Sequence, residues 1–326
     1  MAIALLRPEP PVCDCLEPLP PGFLSAADLD PAGWHGLLAL SARLKAEWRL
    51  RRAHPTRPLR GRSAALLFEH PSLRTRTTFE LAVRQLGGEA VHLAGAEVGL
   101  GMRESVGDVG RTLGRWVDVI VARTRRDATL RELAASAGVP VVNALTDREH
   151  PCQALADLLT IQERTGGVAG RTVVFIGDGN NVAASLAIAG VSLGATVRVV
   201  TPPGHELPEP VVQEAVARER EAGGRLELWH GPQAAVVDAD VVYTDAWTSM
   251  GQEDERQDRL RTFAHYRVDE RLLAAAPDHA VVLHCLPAHR GEEISDAVLD
   301  GVQSAAWQQA ENRLHSAKAV LVGLLA

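Results

Sequence analysis

The feature that most limits what this chain can fold into is a repeated switch between two hydrophobic periods. Runs at 64–68, 90–93, 117–122 and 139–145 are apolar at nearly every position, whereas 74–86, 105–116 and 130–137 carry apolar residues three and four apart. The second half repeats the pattern, with short runs at 172–176, 196–200, 226–229, 241–244 and 280–283 and helical spacing at 152–164, 182–193 and 210–221. A strand without polar alternation has no face for water, so it belongs in a sheet covered on both sides. Strands separated by helices join such a sheet in parallel. At 326 residues the chain exceeds what one core usually encloses. The expectation is an α/β protein of two doubly wound parallel-sheet domains linked by helices. The first domain is expected at 1–149, opening with an irregular Pro-rich leader at 1–22 and a helix over 25–51. The second is expected at 150–305, and 306–326 reads as one long helix packing back on the first domain.

Charge and cysteine usage remove several classes of function. Apolar residues are 46% and charged residues 23%, the balance of a folded globular protein. Net charge is −7 and no dense Lys/Arg block occurs, so nucleic acid and anionic membrane surfaces are not expected partners. Any phosphate must be held by a local cluster against the overall sign. No apolar run approaches bilayer length, and the start of the chain is broken by Pro8, Pro10 and Pro11 where a signal peptide needs its apolar core. A cytoplasmic location is expected. The four cysteines, Cys13, Cys15, Cys152 and Cys285, have the spacing of neither a disulfide framework nor a zinc site, and no metal is expected.

Open α/β sheets bind ligands at the carboxyl ends of their strands. The first strand runs out through Phe68-Glu69-His70-Pro71 into Ser72-Leu73-Arg74-Thr75-Arg76, which opens a helix. Unpaired N–H groups and the dipole make a helix start attractive to anions and unfavourable for cations. Two arginines in that turn therefore point to a bound phosphate, held by fork donors and hydroxyls. The motif resembles the Ser-x-Arg-Thr-Arg signature of the aspartate and ornithine carbamoyltransferase family, in which it binds the phosphate of carbamoyl phosphate. Arg123 at a strand end, His150-Pro151-Cys152-Gln153 at a helix start, and Glu311-Asn312-Arg313 on the final helix match further family positions in the same order. The resemblance implies carbamoyl-phosphate contacts from Ser72, Leu73, Arg74, Thr75, Arg76, Arg123, His150, Gln153, Cys285, Leu286 and Arg313. Three positions depart from the family: Leu73 stands where many members have Thr, Gly99 where a Gln is frequent, and His70 where a Lys is common.

Three loops follow strands of the second half: Gly177-Asp178-Gly179-Asn180-Asn181, the stretch from Asp245 to Glu253, and His284-Cys285-Leu286-Pro287. Alone, the first is a weak nucleotide-loop signal that lacks the third glycine of the dinucleotide fingerprint. Met250 alone reads as core filler, and Cys285 as a small buried hydrophobe. Together the loops resemble the ornithine branch of the family. The resemblance implies ornithine contacts from Asn181, Asp245, Ser249 and Met250, catalytic roles for Cys285, Asp245, Arg123 and His150, no cofactor, and a homotrimer. His284 adjoins Cys285, so the two point to opposite faces of a strand, and no activated cysteine nucleophile can be assembled. The expected chemistry is direct attack by ornithine's side-chain amine. Asp245 and Cys285 would handle the proton, while Arg123, His150 and Thr75 hold the developing oxyanion. Other acceptors (putrescine, lysine, an acylated ornithine), a non-catalytic paralogue and a nucleotide-binding protein stay open at this point.

Overall fold

The computed structural model describes residues 19–248 and 253–325. Four strands form the first sheet: β1 (Ser63–Phe68), β2 (Glu89–Ala94), β3 (Val119–Arg123) and β4 (Val141–Leu145), in the order β2-β1-β3-β4. Five form the second: β5 (Thr172–Ile176), β6 (Thr196–Val200), β7 (Arg225–Trp229), β8 (Val241–Thr244) and β9 (Val281–His284), in the order β7-β6-β5-β8-β9. Every neighbouring pair is parallel. The protein is thus two parallel α/β sheets wound with helices. The strand order reverses between β1 and β3 in one sheet and between β5 and β8 in the other. At such switch points the chain leaves in opposite directions and opens a crevice above the strand ends.

Burial follows position in the sheet. All five residues of β3 are buried, as a strand covered on both faces demands. The edge strands β2 and β7 are only partly covered, and Val91 and Leu228 remain exposed. The helix expected from residue 25 begins later. Ser25 caps a short turn, Ala26–Asp28, and a second cap follows at once. The Asp30 carboxylate accepts from Gly33 N–H at 2.7 Å with Pro31 in the first helical position, so the helix runs Pro31–Arg51.

The long helix Ala306–Leu325 crosses to the first sheet's side and packs on the helices Pro151–Thr165, Pro31–Arg51 and Leu73–Gln85. One continuous apolar core joins it to both sheets, from Leu66 and Val121 to Phe175 and Tyr243. Polar contacts fix its rotation. The buried Lys45 ammonium lies 2.6 Å from Asn312 Oδ1 and 2.8 Å from Glu163, and Lys318 sits over the Trp48 ring. Among the described residues, no helix is long and apolar enough to cross a membrane.

Candidate active site

On the first sheet, Ser72 adopts an extended conformation and its Oγ accepts from Thr75 N–H at 3.3 Å, starting the helix Leu73–Gln85. The register of β1 against β3 sets Phe68 beside Arg123, so the Arg123 side chain reaches the turn just beyond β1. Its Nη1 donates to Ser72 Oγ at 3.4 Å. From the long final helix, Arg313 donates through Nη2 to Thr75 Oγ1 at 3.0 Å and through Nη1 to Gln153 Oε1. Thr75, Arg123, Gln153 and Arg313 are buried and Arg74 is half-buried. Burial, then repulsion from Arg313 and Arg74, pushes the Arg123 guanidinium down to about 10. Burial also lowers Arg74, which is partly offset by the Cys285 and Asp245 groups of the other sheet. Three crowded cations at a helix start form a site that an anion would relieve.

His150 precedes the helix Pro151–Thr165. Its backbone N–H donates to Ser185 Oγ at 2.9 Å, and its buried ring Nδ1 has no hydrogen-bond partner among the described residues. Burial, then the charges of Arg313, Arg123 and Arg74, hold its pKa well below the ordinary 6.5. At neutral pH it is an uncharged imidazole among three cations. Leu73 and Arg76, three residues apart, share the exposed side of their helix. Leu73 is 77% exposed, and Arg76 Nε lies 4.0 Å from Glu80. Their side chains thus stand apart from the buried cluster of Arg123 and Arg313.

On the second sheet, Asp245 and Cys285 close the ends of the adjacent strands β8 and β9. Asp245 Oδ1 accepts from Cys285 Sγ at 2.8 Å and from Ala246 N–H at 2.7 Å, and Oδ2 accepts from Asn180 Nδ2 at 2.9 Å. Burial, then the Asp245 charge, raises the Cys285 thiol well above its usual 9. A thiol so protonated is a donor and not a nucleophile. Iodoacetamide at pH 8 is therefore expected to leave Cys285 unmodified in the folded protein and to label it after denaturation. Peptide mass mapping checks this, and rapid labelling of the native protein would contradict the protonated thiol. Leu286 is held at φ +60°, a left-handed conformation costly for a leucine, with its N–H donating to His284 Nδ1 at 2.8 Å. His284 Nε2 in turn lies 3.0 Å from the fully buried Glu293 carboxylate.

The structure separates two neighbouring asparagines. Asn181, expected at the acceptor, donates to the Thr146 carbonyl at 2.5 Å and so reaches toward the first sheet. Asn180, which sequence reasoning missed, is the one on Asp245. Its Oδ1 accepts from Val182 and Ala183 N–H as a helix cap, which leaves its amide NH2 for the carboxylate. The signal was available: an Asn at the junction of strand and helix is a cap first. Also unforeseen was Arg259, which ion-pairs with Asp178 and donates to the Trp247 carbonyl at 2.5 Å, tying two of the strand-end loops together. Ser249 and Met250 lie outside the described residues. Among the described residues, two sets of three groups could in principle meet a cation, Asp245/His284/Cys285 and His289/Glu292/Glu293. In the first, the hydrogen bonds of Cys285 to Asp245 and of His284 to Glu293 and Leu286 already engage the ligand atoms.

Comparison with known proteins agrees with this geometry in both halves. The carbamoyl-P binding domain of aspartate/ornithine carbamoyltransferases matches residues 22–163, and the Asp/Orn binding domain of the same family matches 169–324. The chain is 51% identical to an ornithine carbamoyltransferase of Acidothermus cellulolyticus over 304 residues, covering 93% of this chain and 96% of that one. It is 49% identical to one of Rhodococcus jostii, again covering 93% and 96%. The solved ornithine carbamoyltransferase of Pyrococcus furiosus superposes with a TM-score of 0.92 at 44% identity, covering 95% of this chain and 99% of that one. With both of its halves matched and its fold shared throughout, the chain belongs to the aspartate/ornithine carbamoyltransferase family.

Proposed function

We propose that this protein transfers the carbamoyl group of carbamoyl phosphate to the side-chain amine of L-ornithine, giving L-citrulline and phosphate. The observation that carries the reading is the meeting of two unlike clusters. The cationic residues Arg74, Arg123 and Arg313 gather at one helix start, and Arg74 lies close enough to Asp245 to feel its charge. One side suits a phosphate, the other an amine, and the reacting carbon belongs between them.

The roles follow from the donors and acceptors present. Ser72, Arg74 and Thr75 at the helix start, with Arg123 and Arg313, take the phosphate of the substrate. Leu73 contributes through its backbone N–H, and Arg76 from the exposed side of the helix. The neutral His150 ring and Arg123 meet the carbamoyl oxygen, Gln153 and the Leu286 backbone meet the carbamoyl amide, and Cys285 lies alongside it. Asn181, Asp245, Ser249 and Met250 take ornithine.

A free side-chain amine of this type has a pKa of about 10.4, so the bound amine must shed a proton to attack. Asp245, an acceptor with the protonated Cys285 fixed on one oxygen, receives it. The amine lone pair then forms the new C–N bond. Charge gathers on the carbamoyl oxygen against Arg123 and His150; the C–O bond to phosphate then breaks, and the second proton of the attacking nitrogen passes to the departing phosphate, which leaves as the hydrogen-phosphate dianion. The donor is already an activated acyl phosphate, and no cofactor enters this route. Domains at 1–149 and 150–305 with 306–326 returning to the first, a homotrimer and a cytoplasmic location complete the reading.

The test is to supply carbamoyl phosphate with ornithine, lysine, putrescine, aspartate or N-acetylornithine and to follow ureido product and released phosphate. Product with ornithine alone is expected. Product with another amine would keep the phosphate site and overturn the acceptor, and no product with any amine would overturn the reaction. Phosphate alone should raise the melting temperature, since a ligand at 100 times its Kd stabilises the folded state by about 2.7 kcal/mol.

A further inference from the structure

Asp157 joins the parts of the site that belong to different elements. It lies on the helix Pro151–Thr165 and is fully buried. Its Oδ1 accepts from Gln153 Nε2 at 2.7 Å and Gln309 Nε2 at 2.6 Å, and its Oδ2 accepts from the Tyr243 hydroxyl at 3.1 Å. Neither amide can turn over. Gln153 Oε1 is taken by the Arg313 guanidinium, and Gln309 Oε1 accepts the His284 backbone N–H at 2.9 Å. Both of those partners can only donate, so each glutamine must present its NH2 to Asp157.

The three bonds lead to three places. Gln153 leads to Arg313 and Thr75 on the phosphate side. Gln309 leads to His284, beside Cys285 on β9. Tyr243 sits on β8 two residues before Asp245. All three donors to the carboxylate are neutral; the Arg313 charge beyond Gln153 favours the ionised form, but among the described residues no salt bridge reaches Asp157. Burial raises its pKa to about 7 in spite of these hydrogen bonds. A buried, unpaired carboxylate costs stability, and an uncharged residue of the same shape would fold at least as well. Stability therefore does not account for an acid at this position.

On the reading of the site given above, we propose that Asp157 is a positioning residue for the transfer: its carboxylate sets the phosphate-side cluster against the two strand ends that carry Asp245 and Cys285. The substitution that isolates this role is Asp157→Asn. The side-chain oxygen can still accept from both glutamines, but the amide now faces Tyr243 and forces its hydroxyl to turn from donor to acceptor.

The expected result is a melting temperature at pH 8 equal to or above the parent's, an unchanged rise on adding phosphate, and an unchanged KM for carbamoyl phosphate. The turnover number should fall by about 10²-fold, the scale of a 1 Å misplacement. Tyr243→Phe, which removes only the bond to β8, should lower kcat in the same direction with KM unchanged. A kcat close to the parent's in Asp157→Asn would overturn the proposal. So would a loss of melting temperature and phosphate response in both variants, which would mark a purely structural role. A parent protein that makes no ureido product sinks the reaction and this role together. A productive parent with an unaffected Asp157→Asn sinks the role alone.

Discussion

Arg74→Gln should abolish the stabilisation that phosphate gives and lower kcat/KM by roughly 10²- to 10⁴-fold, from the loss of two charged hydrogen bonds worth about 1.5–3 kcal/mol each. The ligand-free protein should melt no lower than the parent. Arg74 stands in a group of three guanidiniums where burial, and after it mutual repulsion, brings Arg123 down to about 10. Without an anion, one cation fewer is a relief. With an anion, the same residue supplies a fork donor at the helix start. Opposite signs for the free and bound protein are hard to obtain from a residue that merely supports the fold. Calorimetric titration with phosphate beside melting curves reads both, and a variant that still responds to phosphate as the parent does would remove Arg74 from the phosphate site.

The second large effect belongs to Asp245. Asp245→Asn should lower kcat by roughly 10²- to 10⁴-fold, the usual contribution of a proton acceptor, with the phosphate response intact. This change also disturbs packing of polar groups. Asn180 is locked by its cap bonds and can offer Asp245 only an NH2, at 2.9 Å, so an amide at 245 would set donor against donor. The exchange of the pair, Asn180→Asp with Asp245→Asn, keeps a cap acceptor at 180 and restores a donor–acceptor match between the two. The double variant should recover the melting temperature and still lack turnover. Recovery of both would reassign Asp245 from proton acceptor to structural partner.

The strands and long helices were legible because each carries its own period. The interior strands β1, β3, β5 and β8 are apolar except for one end residue each, and helices of ten residues or more repeat their apolar face often enough to be read. The stretches after β8 and β9 were not. Their helices Arg256–Thr262, Glu270–Leu273 and Asp296–Leu299 are too short to show a period.

Within the site, the residues of contiguous motifs could be named in advance. The partners that orient them, Gln309, Tyr243 and Arg259, could not, because proximity in space decides their role. Gly99 shows a different limit. It ends the one-turn helix Gly95–Val98 at φ +65°, and a Cβ there would come within 2.7 Å of the Arg103 side chain. The backbone itself keeps a side chain such as Gln from this position.

The bond between Arg313 and Thr75 has a consequence for how the protein comes into being. The two residues are 238 positions apart, and the guanidinium that steadies the first helix turn comes from the second. At a synthesis rate of about 5–20 residues per second, roughly 12–48 s separate the emergence of the one from the other. During that interval the first sheet can form while its anion pocket stays unfinished. The nascent chain therefore passes through a stage with a cationic hollow and no competence to hold its donor substrate, and that competence arrives only when the helix bearing Arg313 has docked.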